Sequence, residues 1–131
     1  MKRTRIIVCI LLVAVLLAAA LYFLLPVKLV DADSVLNLRM SVSGESRYLE
    51  GEELTKITAL LEQARARRCF APAQLYEEDG GLELDIVTGD GPLHIVLGDG
   101  SSYMYSSSDD TIWYSIIDGE KLKNDIENAL S

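Results

Sequence analysis

Side chains that could act as a nucleophile or a general base at neutral pH are few, since this 131-residue chain has one His and two Cys. His94 is the only histidine, so a zinc site built on paired histidines is excluded. Cys69 and His94 would supply a nucleophile and a general base, but neither residue lies in a recognisable local motif. The sequence therefore predicts a protein that is not an enzyme, with no metal and no cofactor.

Carboxylates are abundant, with 20 Asp and Glu residues in all. Paired acids can cleave glycosides and clustered oxygen ligands can bind calcium, but the spacing here matches neither arrangement. Residues 99–103 lack the ligand pattern of an EF-hand loop. The acidic clusters at 77–79 and 109–110 are interpreted as solvated loops, with weak cation binding as the alternative.

Four aromatic residues near the C-terminus form the most suggestive group: Tyr103, Tyr105, Trp113 and Tyr114. Aromatic clusters serve as sugar platforms and as protein interfaces, and they also pack in cores. Core packing is the favoured explanation, and a binding role for these four residues is kept as the candidate site.

The N-terminal sequence predicts a membrane segment. The run from Ile6 to Leu25 is uncharged and apolar, and its length as a helix, roughly 30 Å, matches the hydrocarbon core of a bilayer. Three of the 12 basic residues and none of the 20 acidic residues precede position 26, so the formal charge is +3 before it and −11 after it. The basic flank places the N-terminus in the cytoplasm. The acidic remainder argues against nucleic-acid binding.

Four segments follow from this pattern. They are a cytoplasmic tail at 1–5, a transmembrane signal-anchor helix at 6–25, a tether at 26–34 and an extracytoplasmic domain at 35–131. A cleaved signal peptide is the alternative, because Ala18-Ala19-Ala20 offers small residues to a signal peptidase. Both interpretations export the domain. Its only cysteine is Cys69, so it must fold without an internal disulfide.

Hydrophobic periodicity predicts the elements of the exported domain. Apolar and polar residues alternate over 36–42, as in a half-buried strand, and an amphipathic helix runs from about residue 50 to near Arg68. Alternation returns at 82–86, 93–97, 102–105 and 111–117, with short turns between, and Asp118 begins a final helix.

These elements predict an α+β domain with helices on one face of a small antiparallel sheet. The sheet has about four strands, in the order strand-helix-strand-strand-strand-helix. Its other face is expected to be mixed, since alternation directs five side chains toward it: Glu83, Asp85, Val87, His94 and Val96. Water, a second layer or a partner could cover such a surface.

The whole pattern resembles a group of small, uncharacterised bacterial envelope proteins that share a domain of unknown function. The shared features are a basic start with an apolar anchor, a strand, the helical sequence Leu-Thr-Lys-Ile-Thr-Ala-Leu-Leu at 54–61, a meander, and Trp113-Tyr114-Ser115-Ile116 before a closing helix. The resemblance implies a location and a fold and supplies no functional residues.

The resulting hypothesis is a single-pass, membrane-anchored, extracytoplasmic interaction module without catalytic activity. Its partners would be the lipid bilayer, through Ile6 to Leu25, and a protein or cell-wall component of the envelope. One alternative is a domain that inhibits a secreted enzyme or binds peptides by strand addition. The other is a small envelope hydrolase.

Overall fold

The N-terminal run forms one long helix, α1 (Lys2–Leu24), which is long and apolar enough to cross a membrane. A computed structural model describes residues 2–42, 44–69, 81–98, 102–106 and 109–130, and for residues 109–112 it describes the backbone alone. No residue of α1 is buried against the rest of the described chain. A helix that is apolar on all sides and unburied by protein fits either a membrane span or a signal sequence.

The remaining described residues form a sheet of eight strands and two longer helices. The strands are β1 (Val27–Lys28), β2 (Val35–Val42), β3 (Glu45–Tyr48), β4 (Arg65–Cys69), β5 (Leu82–Thr88), β6 (Gly91–Leu97), β7 (Ser102–Ser106) and β8 (Asp109–Ile116), and the helices are α2 (Gly51–Gln63) and α3 (Gly119–Leu130). All neighbouring strands pair antiparallel, in the order β1-β4-β8-β7-β6-β5-β2-β3. The predicted α+β class is confirmed, and the predicted number of about four strands is wrong.

One additional strand lies in the segment predicted as a tether. Val27 and Lys28 pair with β4, and the next two residues, Leu29 and Val30, are buried in the core. A turn of 3-10 helix at Ala32–Ser34 then leads into β2. The segment after α1 is therefore part of the folded domain, which begins almost directly at the end of α1.

A second additional strand, β4, occupies residues predicted as the last turns of α2. The helix ends because Ala64 is extended and donates its N–H to the carbonyl of Leu61. Arg65 then donates to two carbonyls at this helix end, which satisfies acceptors that the helix leaves open. Ala66 is fully buried opposite Ile116 of β8. Pairing with a strand distant in sequence thus overrides local helix propensity.

One hydrophobic core lies between the two later helices and one face of the sheet. Helix residues Ile57, Leu61, Leu122 and Ile126 share a buried cluster with alternate strand residues such as Leu38, Met40, Leu84, Ile86, Ile95, Leu97 and Met104. The alternation predicted for β2 fails at Leu36, which is 66% exposed at a shift of register between β2 and β5. A bulge adds one unpaired residue to a strand. The side chain of that residue is therefore not constrained to the face that alternation predicts, and here it points to solvent.

The start of α3 packs closely against β7 at Gly119. A Cβ atom built there would lie 2.2 Å from Ser102 Oγ and 2.3 Å from Ser102 Cβ. We expect Gly119→Ala to lower the free energy of unfolding by about 1–3 kcal/mol, because overpacking displaces backbone and side chains. Gly89→Ala is the matched control, since a Cβ at Gly89 meets no atom within 4 Å. Urea denaturation of the full-length protein in detergent micelles measures both, and equal stability of the two variants would contradict the packing described.

Candidate functional site on the distal face of the sheet

The face of the sheet opposite α2 and α3, termed the distal face, carries a continuous row of side chains. Residues paired across neighbouring strands lie on the same face. The register therefore aligns seven residues, termed the central row: Tyr48, Arg39, Asp85, His94, Tyr105, Trp113 and Cys69. Glu83, Val96 and Tyr103 lie in the adjacent row of the same face. This register agrees with the predicted mixed face.

The polar half of the central row is a hydrogen-bonded network around one carboxylate. Arg39 Nη2 donates to Asp85 Oδ2 at 2.7 Å, and His94 Nδ1 donates to Asp85 Oδ1 at 2.5 Å. An ionised carboxylate only accepts hydrogen bonds, so the contact places a proton on Nδ1 of His94. His94 Nε2 lies 4.0 Å from Glu83 Oε2. The Arg39 and Glu83 side chains are about half exposed, whereas His94 is 16% exposed.

The network changes the acidity of Asp85. Partial burial works to raise the pKa of this carboxyl group, but the hydrogen bonds from Arg39 and His94, with the charges of both groups, outweigh burial. The net result is a pKa for Asp85 below its ordinary value. The charged form of Asp85 is therefore the form that holds both donors in place.

The lowered pKa of Asp85 predicts how stability depends on pH. Such a group stabilises the fold above its unfolded pKa, about 3.9, and this stabilisation is lost as the pH falls through the lower folded pKa. We expect Asp85→Asn to be less stable than the wild type at neutral pH, and to lose less further stability on acidification below about pH 4. Thermal unfolding at several pH values measures this difference.

The control for this experiment is Glu127→Gln, which removes one exposed carboxylate from α3. The stability of this variant should fall with decreasing pH as the stability of the wild type does. If Asp85→Asn showed the same acid dependence as the wild type, the network would not be the source of that stabilisation.

The aromatic half of the central row is built on Trp113. Tyr105 stacks on Trp113 with ring centroids 4.2 Å apart, and Tyr103 meets Trp113 edge-on with centroids 6.5 Å apart. The ring of His94 also lies near Tyr105, with the two ring centroids 5.1 Å apart. Trp113 is only 3% exposed, whereas both tyrosines are half-buried. Trp113 therefore supports the tyrosines, and the tyrosines present the accessible surface.

Tyr114 does not belong with the other three predicted binding residues. It follows Trp113 in β8 and therefore points to the opposite face, where it packs against the hydrophobic core. The structure thus brings Tyr103, Tyr105 and Trp113 together and places Tyr114 on the other side of the sheet.

Cys69 ends the central row in β4, with β8 and β7 between it and the strand that carries His94. At about 4.8 Å per strand, three strand spacings separate the two residues by roughly 14 Å, so they do not form a nucleophile and base pair. Burial also raises the pKa of the Cys69 thiol, which disfavours the reactive thiolate.

Metal ligands are not grouped in the part of the chain that the structure describes. No set of three or more His, Cys, Asp or Glu side chains among those residues could hold a metal ion. The acidic cluster at 77–79 and the side chains of Asp109 and Asp110 lie outside the described parts. Weak cation binding there stays a prediction.

The pairing of Asp85 with His94 is the feature that the sequence interpretation missed. The tight turn at Gly89-Asp90 pairs Thr88 with Gly91, and counting back along both strands sets Asp85 opposite His94. The turn sequence therefore carried a signal for this contact. Arg39 comes from β2, and no comparable local signal brings it to the site.

The fold and the site together define a class of protein. It is a small α+β domain with a mixed polar and aromatic sheet face, joined directly to an apolar helix that could anchor it in a membrane. Comparison of the chain with protein-family models, curated proteins and solved structures finds no match. The predicted relation to small bacterial envelope proteins therefore stays a prediction.

Proposed function

We propose that the protein is a single-pass, membrane-anchored, extracytoplasmic interaction module that binds another component of the cell envelope through its distal face. The observation that carries the proposal is the central row, in which an Arg39-Asp85-His94 network adjoins stacked aromatic rings on the side away from the core. The partner would be an envelope protein or a cell-wall component.

The composition of this surface supports the proposal. Arg, Tyr and Trp are the residues most enriched where partners bind tightly. Arg39 is held by Asp85, so it would lose little conformational entropy on contact with a partner. Val87 adds an apolar side chain that is 38% exposed on the same face. The network therefore offers fixed polar groups beside apolar surface.

The proposed topology has the N-terminus in the cytoplasm and the domain outside. The basic residues Lys2, Arg3 and Arg5 support this direction by the positive-inside rule. A C-terminal alkaline phosphatase fusion should be active, since that enzyme folds only outside the cytoplasm. The intact mass of the membrane-bound protein should include α1, whereas cleavage after Ala20 would leave a chain that starts at Leu21.

The binding proposal can be tested with two matched variants. Val87→Glu places a charge on the distal face, and Val42→Glu makes the same change at a valine of β2 that is 41% exposed on the other face. In chemical cross-linking within native membranes, we expect Val87→Glu to reduce capture of the partner by about tenfold or more, because the charge must be desolvated. The Val42→Glu variant should capture as much of the partner as the wild type does. Equal capture by both variants would contradict the proposal.

The proposal also excludes catalysis. The hydrogen bond between His94 and Asp85 resembles that between a general base and the carboxylate that orients it. This contact is the observation that favours the alternative of a small hydrolase. Turnover of an envelope substrate that His94→Ala or Cys69→Ala abolishes would overturn the non-catalytic interpretation.

A second candidate function is strand addition at β3, which ends the sheet order and is exposed along its length. Leu49 donates its N–H to the carbonyl of Leu38. Hydrogen-bonded pairs alternate along an antiparallel ladder, so the next such pair toward the turn is Arg47 with Met40. The backbone groups of Ser46 therefore point to the free edge, where a partner strand could bind.

Ser46→Pro tests this second candidate, because it removes an N–H directed to the free edge and spares the ladder to β2. Ser46→Ala is the control, since it removes the hydroxyl bonded to Ser41 and retains the N–H. Loss of peptide or enzyme binding in the proline variant alone would support strand addition. Unchanged binding in both variants would remove it.

A further inference from the structure

Two arginines of β4 hold the end of α1 that adjoins the domain. Arg67 Nε donates to the carbonyl of Leu24 at 3.1 Å, and Arg68 Nη1 donates to the carbonyl of Tyr22 at 3.2 Å. The Arg68 guanidinium also lies over the Tyr22 ring, 4.3 Å from its centroid. The last carbonyls of a helix lack partners within the helix, and cations near them are stabilised by the helix dipole. Arg67 and Arg68 are termed the arginine pair.

The path of the chain explains why the arginine pair reaches α1. Strand β1 pairs with only Arg65 and Ala66 of β4, and no other described strand pairs with β4 on that side. Only two residues connect α1 to β1. With so short a connection, the end of α1 must lie near this edge of the sheet.

The depth of α1 in a bilayer sets the depth of the arginine pair. The apolar run is about as long as the hydrocarbon core is thick, so Tyr22 and Leu24 lie at its boundary when the helix spans the membrane. Guanidinium groups bonded to these two carbonyls then lie at the level of the lipid headgroups. Arginine is well suited to this position, since its fork of donors binds phosphate oxygens in pairs.

Within the described parts of the chain, the arginine pair differs from three other basic side chains in its ion pairing. Lys28, Arg39 and Arg47 each form an ion pair with a carboxylate. Among the ion pairs between described residues, none involves Arg67 or Arg68. A guanidinium carries five N–H donors, and each of these two directs one to the backbone of α1.

We propose that the arginine pair binds the phosphate groups of anionic phospholipids in the leaflet on the side of the domain. This contact fixes the β4 edge of the sheet against the membrane surface. The inference rests on the membrane anchoring in the proposed function, and it adds a lipid class and a site to that function.

The test uses electron paramagnetic resonance of spin-labelled phosphatidylglycerol and phosphatidylcholine in vesicles that contain the full-length protein. We expect the wild type to prefer phosphatidylglycerol at its surface, and the Arg67→Gln/Arg68→Gln variant to lose about threefold or more of this preference. Lys56→Gln/Lys121→Gln removes the same charge from exposed positions on α2 and α3 and should retain the preference. Lys2, Arg3 and Arg5 are present in all three proteins and contribute equally.

The outcomes separate this inference from the anchoring on which it rests. If α1 did not span the bilayer, neither labelled lipid would show a motionally restricted component with any variant. If the anchoring held and the lipid site did not, the restricted component would persist and the glutamine variant would keep the wild-type preference. Arg67→Lys/Arg68→Lys guards against a folding defect, because it retains the charge and should retain part of the preference.

Discussion

Replacing Trp113 with alanine is expected to lower the free energy of unfolding by about 3–5 kcal/mol, the largest effect of any single substitution considered for this protein. Trp113 is 3% exposed, yet it lies outside the cluster that α2 and α3 form with the sheet. Its removal leaves Tyr105 without the ring on which it stacks and Tyr103 without its edge contact. Denaturation of the full-length protein in micelles, followed by circular dichroism, measures the loss.

The control for this prediction is Trp113→Phe, which keeps an aromatic ring under Tyr105 and should cost less than half as much. The two variants separate loss of the stack from mere loss of volume. If Trp113→Ala cost less than about 1 kcal/mol, as exposed substitutions do, the distal face would lack the supported aromatic surface described above.

The second large loss of folding stability is expected from a substitution at Leu61, where α2 packs on the core. This side chain is fully buried and belongs to the cluster that includes Leu122 and Ile126 of α3. Leu61→Ala should cost about 2–5 kcal/mol, because it removes buried methyl groups and leaves a cavity. For a small domain that loss is a large part of a total stability of about 5–15 kcal/mol.

Leu36→Ala is the control for Leu61→Ala, since it makes the same chemical change at a leucine that is 66% exposed. We expect it to change stability by no more than about 0.5 kcal/mol. The pair also tests the register shift in β2. A cost at Leu36 similar to that at Leu61 would mean that Leu36 is buried and that β2 alternates without a bulge.

The parts of the fold that sequence could predict are those with local signals. The turn at Gly89-Asp90 and the alternation on either side of it identify the hairpin of β5 and β6. The strand at 65–69 could not be found in this way, since its alanine and basic residues also fit the end of a helix. Its strand conformation depends on pairing with β1 and β8, which lie far from it in sequence.

In the candidate site, too, contacts within one hairpin could be predicted from sequence, whereas contacts between distant strands could not. Alternation correctly places Asp85 and His94 on one face, because both strands belong to one tight hairpin. The contact with Arg39 depends on how β2 pairs with β5, and a shift of register lies within that pairing. Spacing alone also could not separate Tyr114 from Trp113, because the two adjacent residues of β8 face opposite sides of the sheet.

The distal face is the proposed binding surface for the envelope partner. Photo-cross-linking in native membranes tests this proposal directly, with a benzoylphenylalanine residue at Glu83 or Val87 on the distal face, or at Lys56 or Glu127 on the exposed sides of the helices. We expect the two distal positions to yield the same cross-linked product, whereas the two helix positions should yield little of it. Equal yields from all four positions, or capture from the helix positions alone, would contradict the proposal.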